Sequence, residues 1–158
     1  QTPLRLTLAE LRSWPKETQI TKHDCIQGWS AVGEWGGVPL AEIVRRCQPL
    51  AEVQFVVFYA FDNKSTSEID ADGPGWFYGT IDIAQALRPQ TILAYEMNGS
   101  PLTVPHGAPL RLRVETQLGF TMVKYIRRIE FVADYRHIGE GQGGWREDQQ
   151  YYSQEAGI

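Results

Sequence analysis

Apolar positions along the chain fall into short clusters whose spacing switches between helical and extended periods. Thr7, Leu8, Ala9 and Glu10 have the spacing of a capping box, in which hydroxyl and carboxylate satisfy each other's free backbone amides. A short helix is predicted to follow and to end before Pro15. Ile20 to Gly37 carries glycines and two tryptophans without a period, so it reads as extended chain and loop. Pro39 suits a first-turn position, where its missing N–H costs nothing, and opens a helix from Leu40 to Cys47 that stops before Pro49. Val53 to Phe61 is almost continuously apolar, β-branched or aromatic, the signature of a buried strand. Asp62 to Gly75 is polar and acidic and reads as a surface loop, a candidate rim for a site. Ile81 to Leu87 predicts another short helix, closed by Pro89. Thr91 to Met97 and Ser100 to Val104 flank Asn98-Gly99, the strongest short hairpin signal. Leu110, Leu112 and Val114 alternate with Arg111 and Arg113 as in a half-exposed strand, and Val123 to Val132 supplies a further strand. From Gly139 onward no period is visible.

Strands with short helices inserted between them predict an α+β class with mixed or antiparallel sheets rather than a doubly wound fold. The dinucleotide-binding glycine pattern and the phosphate loop are both missing. A length of 158 residues, with no internal repeat or linker, fits one domain over 1–158. The formal charge of −4 opposes non-specific nucleic-acid binding. No apolar run approaches the roughly 20 residues that span a bilayer, and no leader is visible, so the chain reads as soluble and not membrane-embedded. It begins at Gln1, as a processed protein or a piece of a longer one would.

The two cysteines need separate readings, being too few for a disulfide scaffold. Leu40, Ile43, Val44 and Cys47 recur at helical spacing, which gives Cys47 a buried structural role. Cys25 lies outside any such stripe, between His23 and Asp24 and the glycine- and tryptophan-rich Gly28 to Gly37. A reactive or ligand thiol and an inert one both fit it, and a disulfide to Cys47 is a third reading. Zinc is poorly served, with His23, His106 and His137 dispersed and no Cys-x-x-Cys; a Gly-x-Ser-x-Gly elbow is missing too. The residues alone name no reaction.

Cys25-Ile26-Gln27-Gly28-Trp29-Ser30, followed by Trp35-Gly36-Gly37-Val38-Pro39-Leu40, resembles the cysteine segment of the sulfite oxidase superfamily, the oxidoreductase molybdopterin-binding domain, especially its bacterial branches. The family's Asn-Gly hairpin, His-Gly-x-Pro-x-Arg and Gly-x-x-x-x-Lys segments are matched in order by Asn98-Gly99, His106 to Arg111 and Gly119 to Lys124. Gly144 to Tyr151 resembles the ending of bacterial members. The resemblance implies a sulfite-oxidase-like fold, shortened at its N-terminal side, that binds a molybdenum-molybdopterin cofactor. It implies that molybdenum is held by two pterin dithiolene sulfurs and by the thiolate of Cys25, a soft ligand suited to a redox metal. His106, Arg111 and Lys124 match the clamp on the pterin phosphate, for which Arg offers paired donors and Lys a compact charge. Backbone groups around Ile26, Gly119 and Thr121 are further pterin contacts by the same resemblance. Tyr151, ahead of Tyr152, matches the tyrosine that donates to an oxygen at the metal. Set beside these are plainer readings: Arg111 and Lys124 as solvent-facing strand residues, His106 as a satisfied core histidine, Trp29 and Trp35 as packing rather than pocket walls.

Sulfite oxidases proper carry further arginines around the metal, one soon after the cysteine. Here Gln27, Gly28 and Ser30 follow Cys25, and no cation appears before Arg45, so a strongly cationic sulfite pocket is not expected. The implied function is two-electron oxygen-atom transfer on a small oxyanion or sulfoxide, in an exported, periplasmic bacterial protein that exchanges electrons with a haem protein. The alternatives are a molybdopterin-binding or carrier module without an organised substrate site, and an interaction domain with a degenerate pocket.

Overall fold

A computed structural model describes residues 3–63 and 76–149, of Asn63 the backbone alone. Most of the predicted rim loop, from residue 64 to Gly75, and both Tyr151 and Tyr152 lie outside the described residues.

The first helix, α1 (Leu8–Arg12), begins with the predicted box: the Glu10 amide donates to Thr7 Oγ1 at 3.2 Å and the Thr7 amide to the Glu10 carboxylate at 2.7 Å. The segment read as extended chain and loop is a hairpin of β1 (Glu17–Asp24) and β2 (Ser30–Pro39). Helix α2 (Leu40–Cys47) follows Pro39 as expected and ends at Gln48, which is left-handed with φ 47°. The buried strand is β3 (Phe55–Asn63), and β4 (Trp76–Asp82) pairs with it. The pattern missed β4, because Ile81 was assigned to a helix that starts two residues later as α3 (Ile83–Ala86), capped by Asp82. Then come β5 (Ile92–Met97), the two-residue β6 (Ser100–Pro101), a 3-10 turn at Val104–His106, β7 (Arg111–Arg113), a 3-10 turn at Gly119–Thr121, β8 (Ile126–Val132) and α4 (Trp145–Asp148).

Every strand pairing among the described residues is antiparallel. One sheet runs β1-β2-β5-β6, with β7 also on β5; the other runs β4-β3-β8. The main core joins both sheets and α1 and α2 through Leu11, Val38, Leu40, Val56, Phe58, Leu93 and Leu112. A smaller cluster of Trp35, Ile92, Ala94 and Leu102 forms separately from it. Cys47 is half-buried against the main core, burial pushes its thiol pKa up, and both cysteines are free, which removes the disulfide reading. No helix among the described residues is long and apolar enough to cross a membrane.

The β2–β5 register shifts between Gly36 and Gly37, and at Gly37 the strands approach so closely that a Cβ would collide with the Leu93 carbonyl. Because the obstacle is backbone, Gly37→Ala is expected to lower stability by about 1–3 kcal/mol, read by chemical denaturation. An unchanged midpoint would show that the two strands can separate freely at this point.

Candidate functional site

Side chains alternate along a strand, so one face of the β1–β2 hairpin carries Thr21 and His23 together with Trp29, Ala31, Gly33 and Trp35. His23 and these four β2-side residues line a cavity of about 530 Å³. Arg111, Pro105, His106, Gly119, Phe120 and the stretch Met122 to Tyr125 supply more of its wall, and Ala60, Phe77 and Arg146 close it from the second sheet and α4. Such a volume lies within the roughly 300–1,000 Å³ of small-molecule sites.

Cys25 stands where the hairpin turns. Its amide donates to the Trp29 carbonyl and its carbonyl accepts from the Gly28 amide, each at 2.9 Å, and Gly28 takes φ +91°, which glycine adopts without a Cβ clash. The pairing continues that of Asp24 with Ser30, so Cys25 faces Trp29 and shares the hairpin face of His23. The half-exposed thiol has Gln27 Oε1 at 4.0 Å as a polar neighbour. Neither Cys25 nor Ile26, exposed at the tip of the turn, lines the cavity itself.

Strand β7 departs from expectation. Its alternation is real, but the polar side is not in solvent: Arg111 is 6% exposed and Arg113 0%. While Leu112 enters the core, the two guanidiniums pack over Trp35 with Cζ 4.8 and 4.3 Å from the ring centroid. Arg113 is compensated by Glu115, which accepts from its Nε at 2.9 Å and Nη2 at 2.7 Å. Among the described residues Arg111 has a single hydrogen bond, from Nη1 to the His106 carbonyl at 3.0 Å, and its buried Nε has no partner. Burial, followed by the neighbouring Arg113 charge, lowers its pKa to about 10.

His106 is exposed on its 3-10 turn with Nδ1 2.7 Å from Thr103 Oγ1, so the core-histidine reading fails. The Lys124 ammonium is half-exposed and donates to the Pro105 carbonyl at 3.1 Å, beside the Tyr125 ring. Between them, Gly107 at φ +104° leaves no room for a Cβ against Lys124 and Arg111. The cavity thus collects His106, Arg111, Gly119 and Lys124, whereas Thr121 bonds the Leu118 carbonyl and lines a second, smaller pocket of about 120 Å³. Trp29 and Trp35 are walls.

His23 and Arg113 were not singled out from the sequence. Arg113 Nη1 meets His23 Nδ1 at 2.7 Å, and burial with the two arginine charges lowers the histidine pKa to about 4. The signal that could have found His23 is its two-residue spacing from Cys25.

A family model described as the oxidoreductase molybdopterin binding domain matches residues 1–137. The putative protein-methionine-sulfoxide reductase subunit YedZ1 of Azospira oryzae is 35% identical over 92% of this chain and 48% of its own length. The protein-methionine-sulfoxide reductase catalytic subunit MsrP of Xanthomonas axonopodis pv. citri is 36% identical over 82% of this chain and 41% of its own. This chain therefore spans less than half the length of these curated relatives. The sulfane dehydrogenase SoxCD of Paracoccus pantotrophus has the same fold, with TM-score 0.67 at 21% identity over 90% of this chain and 41% of that one. With its matched segment reaching from the first residue through β8, the chain belongs to the oxidoreductase molybdopterin-binding domain family.

Proposed function

We propose that this chain is the cofactor-holding, catalytic part of a molybdenum oxidoreductase that takes an oxygen atom from a sulfoxide. In balance, one sulfoxide with two protons and two electrons gives one thioether and one water. The reading is carried by one cavity that collects His106, Arg111, Gly119 and Lys124 on the hairpin face that Cys25 shares. The YedZ1 and MsrP relatives, named for methionine-sulfoxide reduction, favour sulfoxide over sulfite, as does the want of cations after Cys25.

The residues present fit a molybdopterin. The unpartnered, buried Nε of Arg111 asks for an acceptor, and an anionic phosphate beside it would also offset the two adjacent guanidiniums. Lys124 and His106 would complete the clamp, with backbone at Gly119 alongside, and the Cys25 thiolate would ligate the metal. When bound, the group supplies a redox metal that exchanges two electrons and an oxygen atom with substrate. The protein's part is to fix that group between two sheets, wall it with Trp29 and Trp35, and present polar hydrogens to the substrate oxygen. Tyr151, outside the described residues, is our candidate for one such donor. Ile26 and Thr121 remain backbone candidates of lesser weight, since neither borders the cavity. The relatives are named as subunits, and an electron-delivering haem partner and export in bacteria are parts of the same proposal.

Arg111→Ala and Lys124→Ala are each expected to weaken cofactor retention about ten- to hundredfold, from the loss of a charge-assisted contact of about 1.5–3 kcal/mol. Molybdenum analysis and fluorescence of the oxidised pterin after prolonged dialysis of native-source protein read the loss. Equal retention in wild type and both variants would return the two residues to a structural role, and turnover with sulfoxides separates the enzyme from a carrier module.

A further inference from the structure

Arg113 is fully buried, and each side of its guanidinium faces a protein group. Nε and Nη2 donate to Glu115, Nη2 also lies 3.4 Å from Thr21 Oγ1, and Nη1 is 2.7 Å from His23 Nδ1. A guanidinium has donors only, so Nδ1 is the acceptor and the ring carries its proton on Nε2. That nitrogen has no hydrogen-bond partner among the described residues, although the ring lines the cavity. The ring is held in place from two further sides. Trp29 lies 5.7 Å away by centroid, and Gly119 lies so close that a Cβ there would collide with Nε2. Cys25 is the next residue on the same hairpin face, and two positions along a strand are separated by about 7 Å.

The result beside Cys25 is an oriented N–H, and Glu115 offsets the charge of the Arg113 that orients it. We propose that His23 is a specificity-determining residue whose Nε2–H donates to the oxygen of a neutral S=O group, selecting a sulfoxide over a sulfite dianion. Arg113 is the positioning residue that fixes the tautomer. The proposal rests on the reading above that substrate is turned over beside Cys25. A polar N–H suits a neutral acceptor with a strong bond dipole, whereas a dianion requires compensating cations, which the segment after Cys25 does not offer.

Two measurements on the loaded protein test this. In protein labelled with 15N-histidine, long-range spectra are expected to report His23 with an unprotonated Nδ1 and a protonated Nε2, and dimethyl sulfoxide is expected to shift that N–H. In kinetics, His23→Leu is expected to raise KM for a methyl sulfoxide about tenfold or more at unchanged molybdenum and pterin content. His23→Gln, which keeps a donor, should recover most of the loss. The opposite tautomer, an N–H unmoved by dimethyl sulfoxide, an unchanged KM in His23→Leu, or no advantage of Gln over Leu would each overturn the assignment. Loss of pterin in His23→Leu would overturn it as well, by making His23 a cofactor ligand. If wild type turns over no sulfoxide but the N–H still shifts, the reaction reading fails and the recognition stands; turnover with an unmoved N–H fails the recognition alone.

Discussion

Cys25→Ser protein is expected to fold, keep part of its pterin, lose turnover and show a molybdenum X-ray absorption edge with one sulfur fewer. A serine hydroxyl is hard and poorly ionised at neutral pH, so it replaces a soft thiolate ligand badly. The groups proposed to hold the phosphate, Arg111 and Lys124, are untouched by the change and sit on other elements. Nor should folding suffer, because the hairpin turn is closed by backbone bonds of Cys25 with Trp29 and Gly28 and not by its side chain. Cys47→Ser is the internal control, with identical chemistry in the opposite setting. Its thiol is half-buried against the main core, so a hydroxyl there should cost about 1 kcal/mol, lower Tm and leave the metal spectrum alone. The same sulfur count in wild type and Cys25→Ser would remove the thiolate from the proposal, whatever happens to activity.

These opposite expectations for the two thiols were legible in the sequence because helical periodicity marks burial, and only Cys47 has it. Local signals of that kind also gave the capping box of α1, the proline-opened α2 and the Asn-Gly turn, each of which is decided by a few neighbouring residues. Strand β4 was missed because Ile81, the first residue of the helix expected from Ile81 to Leu87, fits helix and strand alike until its partner β3 is known. The site was legible only as separate motifs. Alternation said correctly that Arg111 and Arg113 share a face, but the hairpin that covers this face lies some ninety residues earlier in sequence, about as far as the span of the His23–Arg113 bond. Burial of charge is a tertiary fact, and period-two patterning reports only which residues share a side.

Arg113 therefore matters to the fold as much as to the cavity, and Arg113→Met is expected to destabilise the protein by about 3–5 kcal/mol. The substitution keeps most of the aliphatic volume over Trp35 and removes the charge, leaving the Glu115 carboxylate, 8% exposed, without its cation. Gln19, whose Nε2 lies 3.0 Å from Glu115 Oε1, supplies one remaining donor, which places the cost toward the lower end of that range. His23 loses the bond that orients its ring at the same time. Arg111→Met should behave differently although both arginines lie on β7: it forfeits one bond to a backbone carbonyl and relieves an unpartnered Nε, so its stability cost should be about 1 kcal/mol, with the larger loss in cofactor retention. The decisive comparison is the double variant Arg113→Met/Glu115→Gln, which removes both charges. If the penalty arises from an uncompensated buried carboxylate, urea denaturation of the double variant should recover roughly half of the single variant's loss. Additive losses, with coupling below about 0.5 kcal/mol, would mean instead that Arg113 stabilises the fold through its packing on Trp35, and that the ion pair beneath the cavity contributes orientation alone.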